Sequence, residues 1–350
     1  MLTLNSCAKI NWTLEVLGRR PDGYHELRTV FQTVDLADTL TFEPLQDGIV
    51  IECDHPEVPT DERNLVWKAA NLVQERAGIK SGVRIRIIKR IPTAAGLGGG
   101  SSNAAVTLLA LLELWRLEIP WTELLVIGAR IGADVPFFLL GGTGLGVGRG
   151  DEVYPLAGID APFMLLVNPG ILIPTREVYA NLPAELTNPE TVVKMPLSLG
   201  MAYQTVRHLD SSAPMGSNRV IADPSSTGAT GADQDPAERR VDGLTVADST
   251  GRPENSLYPW LAGLLRNDLE LSVLPRYPVL ADIRRRLPEL GARAALMSGS
   301  GSTLFAVFDN GWTRQEAANT LQEEGWWVAP VKTVDRAEYR RLALPSRIEL

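Results

Sequence analysis

Ile91-Pro92-Thr93-Ala94-Ala95-Gly96-Leu97-Gly98-Gly99-Gly100-Ser101-Ser102-Asn103 is the stretch from which the rest of the chain is best read. Four glycines and two serines fall within the seven residues from Gly96 to Ser102, more than a tight turn requires. The run that follows, Ala104 to Leu117, is apolar almost all round and predicts a central helix. A glycine loop that feeds a helix amino terminus offers unpaired backbone N–H groups and the positive end of the helix dipole, which together suit a phosphate. Ser101 or Ser102 can add a hydroxyl. The same glycines also fit a plain strand-to-helix turn.

Working upstream, Val83-Arg84-Ile85-Arg86-Ile87 alternates and predicts a half-buried strand. Asn64 can cap a helix through Arg76 that Gly78 stops. Phe31 to Phe42 and Ile49 to Cys53 read as strands, and Pro21-Asp22-Gly23 as a turn. In Lys9-Ile10-Asn11-Trp12-Thr13-Leu14, alternation puts Lys9, Asn11 and Thr13 on one face and Ile10, Trp12 and Leu14 on the other. Downstream, Thr122 to Ile131 predicts a second helix, Asp134 sits on a short link, and Phe137 to Leu140 predicts a buried strand. Gly141 to Gly150 reads as a turn or bulged strand. The second half predicts a strand at Phe163 to Val167 and the segment Asn267-Asp268-Leu269-Glu270. A helix near Val279 to Leu287 follows, then a strand–glycine-loop–strand unit over 294–308, a helix at Arg314 to Glu323 and a strand at Trp326 to Val331. This is a β/α sandwich pattern. Residues 211–254, rich in Pro, Gly, Ser, Thr, Asp and Ala, read as a disordered surface insertion.

Composition narrows the class. The chain has 350 residues, enough for about two domains. Its 34 Lys and Arg against 42 Asp and Glu give −8, with no basic excess to drive counterion release from a nucleic acid or an anionic membrane. Two cysteines cannot build a disulfide framework, and three histidines cannot build a His-rich metal cage. No apolar run has the length of a membrane span, and the amino terminus lacks the pattern of a signal peptide. The expectation is a soluble, cytoplasmic enzyme.

Three further groups carry candidate chemistry. Asp134 is either a turn cap or a carboxylate base for an alcohol, which is a poor nucleophile at neutral pH. Lys9 is an ammonium in an otherwise apolar strand, costly unless it is at the surface, paired or at a cleft. Tyr24-His25 after the turn is either a packing pair or a place to stack a base. The chain holds no G-x-x-x-x-G-K-[ST], no G-x-G-x-x-G and no protein-kinase catalytic segments.

Pro92 together with Gly96-Leu97-Gly98-Gly99-Gly100-Ser101-Ser102 resembles the nucleotide-phosphate loop of the GHMP small-molecule kinases. Three more blocks resemble the branch of that family acting on a diphosphocytidyl methylerythritol. These are Ala8-Lys9-Ile10-Asn11 with Arg20-Pro21-Asp22-Gly23-Tyr24-His25-Glu26-Leu27, Gly132-Ala133-Asp134-Val135-Pro136-Phe137-Phe138, and Met297-Ser298-Gly299-Ser300-Gly301-Ser302. The four blocks lie in order across residues 8–302.

The resemblance implies a two-domain α+β GHMP kinase fold. Residues 1–157 would form a ribosomal protein S5 domain 2-like ATP-binding domain. Residues 158–340 would form a ferredoxin-like domain carrying the insertion. It implies transfer of the ATP γ-phosphoryl to the 2-hydroxyl of the cytidine diphosphate substrate in the non-mevalonate isoprenoid pathway. Asp134 would be the base and Lys9 its partner. Pro92, Thr93, Ala94, Ala95, Gly96, Leu97, Gly98, Gly99, Gly100, Ser101 and Ser102 would hold the ATP phosphates, with Asn64, Leu65 and Lys89 on the adenine side. Asn11, Tyr24, His25, Thr175 and Tyr179 would bind the substrate. Mg²⁺ would come with the nucleotide, carried by its oxygens, water and a loop serine, without a dedicated protein metal site. The expected partner is a small molecule, not a nucleic acid or a membrane, and the expected state is a monomer or homodimer. The alternatives are a homoserine- or mevalonate-type GHMP kinase, or a nucleotide-binding module without catalysis.

Overall fold

The computed structural model describes residues 1–187 and 264–345; the stretch at 211–254 lies outside them. β1 (Leu2–Arg19) and β2 (His25–Leu45) form a long antiparallel hairpin around Pro21-Asp22-Gly23. Asp22 Oδ1 accepts from the Tyr24 N–H at 3.1 Å and pins the turn. β2 is long enough for two further partners. Its first half pairs with β5 (Thr143–Gly148) and its second with β4 (Gly82–Ile88). β3 (Ile49–Cys53) lies parallel to β4, and β6 (Glu152–Pro155) extends β5.

Helices cover one face of this sheet. α1 (Leu65–Ala77) starts on Asn64, whose Oδ1 accepts from the Val66 N–H at 2.9 Å, and ends on Gly78 at φ 62°. α2 (Gly99–Trp115) begins inside the glycine loop, earlier than its hydrophobic run, and every residue from Ser102 to Leu112 is buried. α3 (Trp121–Ile131) packs beside it. Phe137 to Leu140, expected as a strand, belongs to a helix, α4 (Val135–Leu140). A short apolar run has no period of its own to separate the two states. Pro136 decides for the helix, because in a first turn its missing N–H costs nothing.

β7 (Met164–Asn168), α5 (Thr175–Ala180) and α6 (Ala184–Thr187) open the second half. After β8 (Arg266–Asn267) come α7 (Glu270–Val273), α8 (Pro278–Glu289), β9 (Ala294–Met297), β10 (Leu304–Val307), α9 (Gly311–Glu323) and β11 (Trp327–Val331). The second sheet is antiparallel in the order β11-β7-β10-β9. Leu280, Ile283 and Leu287 of α8 and Ala317 and Leu321 of α9 are part of its core.

Two late segments return to the first sheet. β8 adds to β1 in parallel through Leu14 and Asn267. α10 (Arg336–Ala343), outside the elements expected from the pattern, sets Tyr339 in the first core, where its hydroxyl donates to Phe138 O. Trp12 meets Phe305 edge-on at 5.4 Å in the layer between the sheets. The result is the expected α+β arrangement of two sheets, and none of the described helices is long and apolar enough to cross a membrane.

A bulge in β1 sets the cavity wall. Asn11 faces Phe31 and Thr13 faces Val30, so Trp12 is the extra residue. Beyond the bulge the faces swap. Leu14 lines the same cavity as Lys9 and Asn11, while Ile10 and Trp12 pack between the sheets. Simple alternation had put Leu14 with Ile10 and Trp12.

Candidate active site

A cavity of about 1260 Å³ opens where β1, the glycine loop, the start of α4 and the β9–β10 turn meet. Lys9, 4% exposed, sits mid-strand, and its N–H donates to Leu97 O at 3.0 Å, tying β1 to the glycine loop. Its Nζ donates to Asn11 Oδ1 at 2.7 Å and lies 3.5 Å from Asp134 Oδ2. Asn11 Nδ2 donates to Thr29 Oγ1 at 2.7 Å, and that hydroxyl donates to Thr13 O at 2.6 Å. The chain of bonds fixes both side chains. A buried ammonium needs a counter-charge, and Asp134 supplies it.

Asp134, read from the sequence as sitting on a short link before a strand, is at the N-cap position of α4. Its side chain caps nothing there, so the carboxylate, 31% exposed, remains on the cavity wall.

The glycine loop is shaped by close approach. Gly96 has φ +76°, and a Cβ there would lie 2.2 Å from Ser298 O. Gly98 has φ +69°, and its Cβ would lie 2.8 Å from the Phe138 ring and 3.1 Å from Lys9 Cγ. A side chain fits at neither position. The loop at Ser298 to Ser302 closes from the other side: Ser298 Oγ donates to Gly96 O at 3.0 Å and the Thr303 N–H to Ala95 O at 3.2 Å. The first bond of α2 runs from the Ser102 N–H to Gly98 O at 2.9 Å. The N–H groups of Gly99, Gly100 and Ser101 precede it and have no partner within the helix.

The two serines differ. Ser102 is buried, its Oγ 2.7 Å from Ser6 Oγ, which is 2.8 Å from Asn103 Oδ1. Its hydroxyl therefore faces the core. Ser101 is half-buried, its Oγ 3.6 Å from where a Cβ on the cavity-lining Gly132 would lie.

The structure divides the expected residues into two groups. Lys9, Asn11, Tyr24, His25, Ala94, Gly96, Gly98, Asp134, Thr175 and Tyr179 line one cavity. Asn64, Leu65, Lys89, Pro92, Thr93, Ala95, Leu97, Gly99, Gly100, Ser101 and Ser102 do not line it; Leu65 lies beside Gly100 and Lys89 beside Gly99. A Cβ on Gly99 would lie 3.2 Å from Lys89 Nζ, and one on Gly100 would lie 3.7 Å from Leu65 Cδ1. Lys89 is paired with buried Asp38. Asn64 spends both arms locally, on the Val66 N–H and on Pro59 O. Pro92 and Thr93 lead into the loop, and Ala95 and Leu97 anchor it with buried side chains.

At the far end, the His25 and Tyr179 rings stack at 5.1 Å and 26°. The Arg149 guanidinium lies 5.1 Å from the centre of the Tyr24 ring, and Tyr24 is 57% exposed. Burial, with the Arg19 charge, lowers the His25 pKa, so the imidazole is neutral at pH 7. Burial and the Asp134 charge raise that of Tyr179. Thr175 Oγ1 lies 2.9 Å from Ser300 Oγ.

Sequence reasoning missed Arg19, Arg130, Arg149 and Arg176. Among the described residues they line the cavity with Lys9 and one carboxylate, Asp134, and Arg149 is also paired with Asp151 outside the lining. The lining thus carries more positive than negative side chains in a chain of net −8, a local field of the sign that attracts anions. No motif holds these arginines; only the fold gathers them.

Unpaired amides at a helix start, a cationic cavity and a carboxylate–ammonium pair on two such sheets define a small-molecule kinase of the GHMP class. Comparison with known proteins agrees. The family model "GHMP kinases N terminal domain" matches residues 64–142 and "GHMP kinases C terminal" matches 255–325. A 4-diphosphocytidyl-2-C-methyl-D-erythritol kinase from Geobacter sulfurreducens is 36% identical over 335 residues, covering 95% of this chain and 99% of the relative. One from Synechococcus sp. is 39% identical, covering 93% and 92%. The crystal structure of a 4-(cytidine 5'-diphospho)-2C-methyl-D-erythritol kinase is similar with TM-score 0.67 and 31% identity, covering 95% of this chain and all of that one. A homoserine kinase from Cytophaga hutchinsonii, 16% identical with TM-score 0.65 and covering 95% and 94%, shares the fold. The chain belongs to the 4-diphosphocytidyl-2-C-methyl-D-erythritol kinases, and that family implies ATP as its phosphate donor.

Proposed function

We propose that the chain transfers the γ-phosphoryl group of ATP to the 2-hydroxyl of 4-diphosphocytidyl-2-C-methyl-D-erythritol, in the non-mevalonate isoprenoid pathway. The ATP phosphates lie on the N–H groups of the Gly96–Ser102 loop, with Leu65 and Lys89 towards the adenine. Asp134 takes the proton of the acceptor hydroxyl as its oxygen attacks the γ-phosphorus. The bond from that phosphorus to the bridging oxygen breaks and ADP leaves. Lys9 and the loop amides offset charge on the γ-phosphoryl oxygens, the main task in such transfers. Asn11 holds the acceptor, and Thr175 stands beside it. Tyr24, His25 and Tyr179 take the cytosine. The donor is read as MgATP. Phosphate oxygens, water and the Ser101 hydroxyl would hold the ion, which would offset charge on the phosphates.

The observation that carries the proposal is the 3.5 Å approach of Lys9 Nζ to Asp134 Oδ2 beside the unpaired amides of α2. A coupled ADP-release assay tests it, with the cytidine diphosphate acceptor set against mevalonate, homoserine and galactose. Release with the first alone is expected. Preferential turnover of another acceptor, or none with any, would reject it.

A further inference from the structure

We propose that Asn267-Asp268-Leu269-Glu270 is a positioning clamp that holds the Ser298–Ser302 loop against the strand bearing Lys9. Asn267 is 5% exposed. Its Nδ2 donates to Met297 O at 2.8 Å and to Gly299 O at 2.7 Å, and its Oδ1 accepts from the Leu269 N–H at 3.0 Å. Glu270 Oε1 accepts from the Met297 N–H at 2.8 Å and lies 3.4 Å from Arg284 Nε. One short segment thus grips the loop entrance by one N–H and two carbonyls. The same segment is bonded to β1. The Asp268 N–H donates to Leu14 O at 2.9 Å, and Asp268 Oδ2 accepts from the Val16 N–H at 2.9 Å. Arg266 Nε holds the other oxygen of Asp268 at 2.6 Å.

What the clamp holds is set by Gly299. A Cβ there would lie 3.1 Å from Gly96 O, 3.2 Å from Lys9 Nζ and 3.5 Å from Asn11 Oδ1. The loop therefore forms a wall against the ammonium and the carboxamide that β1 presents. Displacing it by an ångström would move the groups that align the reacting atoms, an error that costs about 10²-fold in rate. Asn267 is suited to the task because one carboxamide NH₂ satisfies two buried carbonyls. The proposal rests on the phosphoryl-transfer reading above.

Asn267→Asp is the informative variant. A carboxylate opposite two carbonyls cannot donate, whereas its protonated form can make one such bond. Burial and the facing carbonyls favour that form. The charged groups on the elements packed around position 267 are Arg266 and Asp268 beside it, Glu15 on β1, Arg28 paired with Glu15, Glu270 on α7, Arg284 on α8, and Lys9 beyond Gly299. The expected result at about pH 8 is a kcat lower by about 10²-fold with a smaller change in KM for ATP. The ratio of variant to parent kcat then climbs as the pH falls to about 6, while the ratio for Asn267→Ala stays low and flat. A flat ratio for both, or parental kcat per folded molecule in both, overturns the clamp. If Asn267→Asp does not fold by circular dichroism, the Glu270 pair decides. Glu270→Gln keeps an oxygen for the Met297 N–H and should lose less kcat than Glu270→Ala; equal kcat overturns the proposal. An inactive parent would instead sink the phosphoryl-transfer reading itself.

Discussion

The two ends of the site proposed above, one for phosphate and one for the base, are made of different material. The phosphate end is backbone: amides at the start of α2, fixed by Gly96 and Gly98 at positive φ and by a second glycine loop that leaves no space for a side chain. The base end is side chains: a His25–Tyr179 stack, a half-open Tyr24 and the guanidinium of Arg149 near that ring. Phosphate oxygens are met by N–H direction, which φ controls, so that end tolerates little change in shape. A flat base is met by ring faces, which any aromatic supplies, and by edge donors, which select among bases. The phosphate end should therefore fail through geometry and the base end through chemistry.

The largest effect expected from that contrast is at Gly96. Gly96→Ala adds a Cβ 2.2 Å from Ser298 O at φ +76° and should cost about 2–4 kcal/mol from clash and backbone strain. Urea denaturation would measure it, and a parental midpoint would show that the two loops are not interlocked. The smallest effect is at His25. Burial and Arg19 hold its pKa below the ordinary 6.5. The unfolded chain therefore takes up a proton at higher pH than the folded one. Stability through this residue is unaffected above 6.5 and is withdrawn as the pH falls through 6.5 towards the lower folded value. If the neutral ring meets the base, KM for the acceptor is flat down to about pH 6.5 and rises several-fold below it, and His25→Gln loses that rise. An acceptor KM that does not change through that range in the parent would remove His25 from base recognition.

Much of the backbone around the glycine loop and α1 was legible because its signals are local. The Gly96–Ser102 run, the Asn64 cap and the Gly78 stop each state a backbone requirement in a few letters. The far end of the cavity was legible only at Tyr24-His25 and, more weakly, Thr175 and Tyr179, whose proposed part in base binding comes from the resemblance. Arg19, Arg130, Arg149 and Arg176 come from four separate segments, so their shared field exists only after folding. The Trp12 bulge escaped because alternation assumes an unbroken pleat. α4 escaped because Phe137-Phe138-Leu139 is buried too thoroughly to show a period. The bonds of Asn267 and Glu270 cross between β8, α7 and the β9–β10 turn, and no spacing in the sequence announces them.

The central claim is that a carboxylate held 3.5 Å from a buried ammonium takes the proton of the acceptor alcohol. The most direct measurement is kcat of Asp134→Asn, with circular dichroism and thermal midpoint taken on the same preparation. The account predicts a fall of about 10²–10⁴-fold with parental folding, the range for loss of a positioned base. Turnover within about threefold of the parent would contradict it.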